Sequence, residues 1–457
     1  MSRIEDVVKK QRAFFGKKQT FNVNYRIKYL KRLKQVILEC EEEICQALKL
    51  DLGKSSSESY MCEIGLTLAE LSYQIKHVKR WNKPKRHRTD LANFHGKSYS
   101  VFEPYGVVLV MAPWNYPFML TMEPLIGAIA AGNCVVAKPS AYSPATSSII
   151  KKILEKVFDK EYVCVVEGGR AENTELLEQK FDYIFFTGGV TVGKLVMEKA
   201  AKNLTPVSLE LGGKSPCVID KTANLKLAAK RLAFGKYLNL GQTCVAPDYM
   251  LIDKDIKDEF LQIFKSTVQK MYGENPLENQ NYGKMINEKH YSRVMGLIDQ
   301  EKVVLGGKGR DNELRIEPTV LDNVTENDAV MQEEIFGPVL PVLTYDELDE
   351  AVDFIEKRPH PLALYIFSND KKVQKLFTEK LAFGGGCIND TVLHLATSQM
   401  GFGGVGNSGM GAYHGKKSFQ TFTHEKSILR KYNWIDMPMR YQPYRKMYDK
   451  MVRIFLR

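Results

Sequence analysis

Val107-Val108-Leu109-Val110-Met111 is an unbroken run of five apolar residues with no polar-apolar alternation. A strand that shows one face to water alternates, so a continuous run of this length reads as a strand buried on both faces. Residues 134–137, 162–166 and 183–186 repeat the type, and stretches with helical character separate them, over about 119–132, from about Pro144 and over about 190–202. Apolar strands alternating with helices predict a parallel sheet covered on both sides. In such sheets ligands bind beyond the carboxyl ends of the strands.

Upstream, Ile27, Leu30, Leu33, Ile37, Cys40, Ile44 and Leu48 recur at three- and four-residue spacing, and Ile64, Leu68, Leu71, Ile75 and Val78 do the same. The first 80 residues therefore read as helices whose apolar faces pack. From 81 to 101 the helical period stops, and the stretch reads as an excursion, a strand or arm used in assembly. After Gly212 a second α/β region follows, with strands read at 216–219, 303–305, 339–343 and 362–367 and helices over 225–240 and from about Asp255, Glu288 and Asp346. The fold class is thus α/β: a parallel-sheet dinucleotide-binding unit, a second α/β catalytic unit and a small arm.

Phe186-Thr187-Gly188-Gly189-Val190-Thr191-Val192-Gly193-Lys194 passes from strand to helix. Glycines let a backbone approach a ligand, and the N-terminus of the following helix offers N–H groups to an anion such as a pyrophosphate. The spacing is not Gly-x-Gly-x-x-Gly, so the common dinucleotide fingerprint is absent. Lys138, ending a neighbouring strand in Ala137-Lys138-Pro139-Ser140, can donate to a ribose or phosphate.

Val207-Ser208-Leu209-Glu210-Leu211-Gly212-Gly213 and Gly241-Gln242-Thr243-Cys244 supply a carboxylate and a thiol. Such a pair can perform two-step acyl chemistry, the thiolate attacking a carbonyl and the carboxylate later taking a proton from water. Alone, a cysteine is more often a small buried hydrophobe and a glutamate before two glycines a solvated strand end. Two further stretches raise them: Ala112-Pro113-Trp114-Asn115-Tyr116-Pro117-Phe118, and the run from Phe186 to Lys194 already described, while the glycine-dense run from Gly401 to Gly411 reads as a loop making close backbone contacts. Glu333-Glu334-Ile335-Phe336-Gly337-Pro338 reads as a turn leading into a strand, with a buried Phe336.

The bulk numbers limit the alternatives. With 457 residues, 44% of them hydrophobic, the chain can build two or more cores. Its eight cysteines are scattered without a Cys-x-x-Cys pair, which argues for reduced thiols and no metal site. The net charge is +11, but residues 426–457 carry nine Lys or Arg against Asp436 and Asp449. The remainder is close to neutral, so nucleic acid is not an expected partner. The N-terminus lacks the apolar core of a signal peptide and no run approaches a membrane span, which leads to a cytoplasmic expectation.

Taken together, these motifs resemble the aldehyde dehydrogenase superfamily, and within it the class 3 branch acting on fatty and aromatic aldehydes. The six motifs stand in the family's order over about 104–427, and the run from Gly404 to Gly411 through Tyr413-His414-Gly415-Lys416-Lys417-Ser418-Phe419 is especially close to that branch. The resemblance implies Cys244 as nucleophile, Asn115 with the Cys244 N–H as oxyanion donors, and Glu210 as the base that activates water on the thioester. It implies Lys138 at the adenosine ribose, Gly188 and Gly193 at the pyrophosphate, and Glu334 with Phe336 at the nicotinamide end. Tyr116 and Thr243 would line the aldehyde tunnel, while His414 reads first as a packed or capping residue.

NAD or NADP is the implied cofactor, an aldehyde the substrate and a homodimer the assembly. Many NAD-preferring relatives carry Glu three positions after the lysine, where this chain has Ala141, so use of NADP is expected. Gly401 stands where proline is common, a change of loop stiffness. A coenzyme A-acylating enzyme and a catalytically idle structural protein on this fold remain as alternatives. The implied organisation places cofactor binding in 1–81 and 102–210, catalysis in 211–405, the arm in 82–101 and 422–440, a return segment in 406–421 and a tail in 441–457.

In that tail Tyr444, Met447, Tyr448, Met451, Val452 and Phe455 follow a helical period with basic residues between them. A basic amphipathic helix can make weak peripheral contact with an anionic membrane. Packing on the protein or on a dimer partner is the first expectation.

Overall fold

The first sheet explains why an unbroken apolar run is needed at its centre. In the computed structural model, which describes residues 3–456, Val107–Met111 lies between Tyr183–Thr187 and Cys134–Lys138, and all fifteen residues of these strands are buried. Val163–Val165 and Val207–Glu210 extend the sheet in parallel, and Gly409–Met410 closes one edge in antiparallel. Helix Met119–Ala131 is buried at each of its 13 positions, because it is apolar but for Thr121 and Glu123 and lies between this sheet and the N-terminal helices.

The N-terminal helices are Arg3–Gly16, Val23–Glu39, Glu41–Leu52, Ser56–Ser59 and Gly65–Trp81, the last two joined by a π-helical turn, Tyr60–Ile64. The apolar period read across residues 27–48 is broken at Cys40, which caps one helix and starts the next. Spacing alone did not show that break, since the apolar face continues through it.

The second sheet has seven strands in the order Val303–Leu305, Thr319–Leu321, Val339–Tyr345, Tyr249–Asp253, Pro216–Ile219, Ala363–Phe367 and Gly385–Ile388. Only the first of these is antiparallel to its neighbour. The fully buried central strand Tyr249–Asp253 was not singled out from the sequence. Helix Leu225–Tyr237 stops three residues short of its expected end. Asn239 and Leu240 take φ of +52°, which turns the chain toward Cys244.

Lys85–His87, Gly96–Pro104 and Thr423–Lys431 form a third, antiparallel sheet, the last two paired over nine residues. Seven of the nine residues of Thr423–Lys431 are exposed. The tail forms helix Lys446–Phe455, with Tyr444, Met447 and Met451 exposed. Among the described residues no helix is long and apolar enough to cross a membrane.

Candidate active site

Each functional stretch of the first sheet leaves the carboxyl end of a strand. Met111 precedes the Asn115 turn, Lys138 ends its strand, Thr187 precedes the two glycines and Glu210 is the last residue of Val207–Glu210. These ends open into a cleft of about 470 Å³ lined by Asn115, Gly188, Glu210, Cys244, Glu334 and Phe336, among others. Residues far apart in sequence are brought together because strand ends converge at one rim.

Cys244 borders two cavities. One is that cleft, and the other is a narrow apolar tunnel of about 100 Å³ walled by Tyr116, Leu120, Thr243, Phe402 and His414. Tyr116 Oη and Thr243 Oγ1 lie 2.7 Å apart, so these two hydroxyls on the wall satisfy each other. Burial first, then the charges of Glu334 and Glu210, push the Cys244 thiol up to about 12, while backbone N–H groups at 244 and 245 act in the opposite sense. In the free protein Cys244 is therefore a thiol at neutral pH.

Asn115 is 2% exposed and donates from Nδ2 to Gln242 O at 3.0 Å. That bond ties the 112–118 turn to the residue two before the cysteine. Gln242 is itself held, donating to Asn239 O at 3.0 Å and Lys284 O at 3.1 Å and accepting from Ile286 N–H at 3.0 Å. Asn239 and Gln242 were not assigned roles from the sequence, although Gln242 stands inside the quoted Gly-Gln-Thr-Cys motif. Beyond the bonds they make to each other, their partners Asn115, Lys284 and Ile286 lie 42 to 127 positions away, and no local pattern marks them.

Glu210 is buried, and both its carboxylate oxygens lack a hydrogen-bond partner. Burial alone raises its pKa well above the usual carboxylate range. When ionised, a carboxyl so placed has two open acceptor sites at the rim of a cleft and is a stronger base than an exposed one. Glu334 is raised to about 8 by burial and then by Asp248, and its Oε1 is likewise unpartnered. Gly212 lets this carboxyl lie close against the main chain, since a Cβ there would fall 2.1 Å from Glu334 Oε2 and displace it.

Phe336 corrects one expectation. It is half-buried rather than buried, with φ +50°, and it stands edge-on to Trp114 at 5.3 Å between ring centres, while its neighbour Ile335 takes the core position. The left-handed backbone turns the phenyl ring out to the cleft.

Gly188 lines the cleft, and Gly189 caps helix Val190–Ala201 with no side-chain bond and nothing within 4 Å of its Cβ position. Gly193 is placed differently. It is buried one turn into the helix, where a Cβ would meet Leu211 Cδ2 at 2.6 Å, so it permits close packing of helix on strand end. Lys138 donates to Gly168 O at 2.7 Å and Pro139 O at 2.9 Å in an adjacent groove of about 730 Å³ shared with Ser140 and Ala141. His414 is both packed and at the site: its Nε2 lies 3.0 Å from Glu123 Oε2, and the ring borders the tunnel.

Residues 2–428 match the model of the aldehyde dehydrogenase family. Among curated relatives, a 4,4'-diaponeurosporen-aldehyde dehydrogenase of Staphylococcus aureus is 47% identical over 100% of both chains. A rat protein named aldehyde dehydrogenase, dimeric NADP-preferring, is 46% identical over 94% of this chain and 95% of its own. A solved structure described as the substrate-bound state of Staphylococcus aureus AldH superposes with a TM-score of 0.98 at 47% identity, covering 100% of each chain. With a cysteine and an orphaned carboxyl at one rim of a parallel sheet, and with this similarity over its full length, the chain belongs to the aldehyde dehydrogenase family.

Proposed function

We propose that this protein oxidises aldehydes with apolar chains or rings to carboxylic acids, using NAD or NADP, through a thioester on Cys244. The observation that carries the reading is the position of Cys244 between an apolar tunnel and a polar cleft. An aldehyde entering by the tunnel meets the sulfur before it meets the cleft. The tunnel's lining favours medium or long aliphatic or aromatic aldehydes over charged ones.

The cleft fits a dinucleotide. The uncapped N-terminus of Val190–Ala201, open space at Gly189 and the unpartnered buried Thr187 Oγ1 and Glu334 Oε1 are groups that a pyrophosphate and a ribose would satisfy. Lys138 would hold the other ribose, and Ala141 leaves room and no repelling carboxylate for a 2′-phosphate. Held there by Glu334 and Phe336, an oxidised nicotinamide would supply the hydride acceptor for the substrate carbon.

The remaining chemistry belongs to the chain. Cys244 gives its proton to water in the cleft, and the thiolate forms the carbon–sulfur bond as the carbonyl π pair moves to oxygen. The N–H of Asn115 not engaged with Gln242 and the N–H of Cys244 hold the oxygen as it gains charge. Loss of hydride leaves the acyl group on sulfur. Glu210 then takes a proton from water as its oxygen attacks the acyl carbon, and the thiolate departs. Assembly as a homodimer accords with the rat relative's name and with the exposed third sheet, a surface available for pairing.

The test is reduced-cofactor formation from a medium-chain aldehyde without coenzyme A, in parallel with NAD and NADP. Turnover is expected with both, abolished in Cys244→Ala. In Glu210→Gln a single stoichiometric burst is expected, followed by slow release of acid. Turnover only on adding coenzyme A would replace the hydrolytic reading with the acylating one.

A further inference from the structure

The side chain of Lys54, in the loop between helices Glu41–Leu52 and Ser56–Ser59, is wholly out of solvent. So is that of Glu63, whose Oε1 lies 2.6 Å from Lys54 Nζ. The ammonium makes two other contacts, both with the turn that carries Asn115. It donates to the main-chain oxygen of Asn115 at 2.9 Å and stands 4.0 Å from the centre of the Tyr116 ring. The other oxygen of Glu63 accepts from the N–H groups of Phe118 at 2.8 Å and Met119 at 3.2 Å. Residues 115–119 are therefore gripped at the front by a cation and at the back by its anion.

The same carbonyl of Asn115 also accepts from Asn239 Nδ2 at 2.8 Å, and Asn239 N–H donates to Glu58 Oε1 at 2.9 Å. The 52–63 segment thus reaches both the amide turn and the turn before Cys244. A buried ion pair is a weak device for stability, because apolar residues of similar volume often do as well or better. Glu63 moreover sits in the π-helical turn Tyr60–Ile64, an irregularity that occurs frequently at functional sites.

We propose that Lys54, held by Glu63, is a positioning residue that fixes the Asn115 carbonyl and the Tyr116 ring so that the Asn115 amide stays aimed at the oxygen of the aldehyde bound to Cys244. The inference rests on the reading of Asn115 as an oxyanion donor. A side-chain amide follows its own backbone, and rotation of that peptide would swing Nδ2 away from the reacting oxygen. Misplacement of about 1 Å at a reacting centre can cost about a hundredfold in rate.

Removing one partner alone would strand a buried charge and could unfold the protein, so the test removes both. Lys54→Met with Glu63→Gln is neutral, nearly isosteric, and keeps an oxygen to accept from Phe118 and Met119. This double variant, Asn115→Ala and their combination are compared for thermal midpoint, kcat and the KM values for aldehyde and cofactor. The expected result is a double variant that melts close to the wild type, with both KM values within about threefold and kcat down about tenfold to a hundredfold. Its effect should largely vanish in the Asn115→Ala background, since groups acting through one contact are not additive. A double variant with wild-type kcat beside an impaired Asn115→Ala would overturn the positioning role alone, as would a loss that adds in full to that of Asn115→Ala. An undiminished Asn115→Ala would instead remove the oxyanion reading on which the inference rests.

Discussion

Glu210 is paired across an antiparallel ladder with Gly409. The glycine-dense run from Gly401 to Gly411 accordingly leads into the two-residue edge strand Gly409–Met410, which holds the proposed base in place. Ser408 O accepts from Leu211 N–H at 3.0 Å, so the pairing continues past the carboxylate. Glycine is required because Gly409 has φ +143° and its Cβ would fall 2.1 Å from Leu209 O.

Gly409→Ala is therefore expected to destabilise the fold by about 1–3 kcal/mol, the usual range for strained backbone. It should also slow deacylation, because Glu210 loses its lateral support. Thermal denaturation and single-turnover acid release measure the two effects. A variant with wild-type melting and release would contradict the claim that this pairing restrains Glu210.

The thiol of Cys244 should respond to pH as a group pushed up to about 12. Alkylation by iodoacetamide follows the thiolate fraction, so its rate in the free enzyme should climb about tenfold per pH unit from 7 to 10 without levelling. Glu334 is the charge that acts most strongly on the thiol, and it is itself raised to about 8. Glu334→Gln should thus match the wild type near pH 7, where Glu334 is largely protonated, and alkylate faster above pH 8, where the charge is present. A plateau near 9 in the wild type would refute the burial argument.

Ala141 offers a test of cofactor choice. Ala141→Glu places a carboxylate in the groove shared with Lys138, where it would repel a 2′-phosphate and accept from ribose hydroxyls. NADP affinity is expected to fall about tenfold or more with NAD affinity held or improved. Intrinsic fluorescence titration of each dinucleotide, without aldehyde, reads the difference directly. Equal losses for both cofactors would place the ribose elsewhere.

The buried pair of His414 and Glu123 links stability to pH. Burial lowers the imidazole pKa, but Glu123 and then Glu70 outweigh it and the net shift is upward from 6.5. A raised histidine pKa gives stabilisation that is complete below 6.5 and is lost as pH rises through the folded value. Glu123→Gln should cost about 3–5 kcal/mol at pH 6, the range for breaking a buried pair, and progressively less toward pH 9. Melting curves at both pH values decide it, and a pH-independent difference would mean that His414 is neutral throughout.

Several features were legible in the chain because they are local. Val107–Met111 declares a doubly covered strand by its unbroken apolar run, and Phe186 to Gly193 declares a strand-to-helix turn by its glycines. Cys244 and Glu210 stand in short motifs whose residue types already suit covalent acyl chemistry. Local pattern failed where backbone turns decide: Leu225–Tyr237 ends early through two left-handed residues, and Phe336 faces the cleft through another.

What the sequence by itself determined is the α/β architecture, the candidate nucleophile and base, and the strand ends that a ligand would meet, because periodicity and motif chemistry act over a few residues. Only the tertiary structure decided that Lys54 and Glu63 grip the Asn115 turn, that His414 pairs with Glu123, and that Gly409 braces Glu210. Those partners lie 9 to 291 positions apart. Burial removes the water that would otherwise solvate each charge, and the fold alone determines which distant group replaces it.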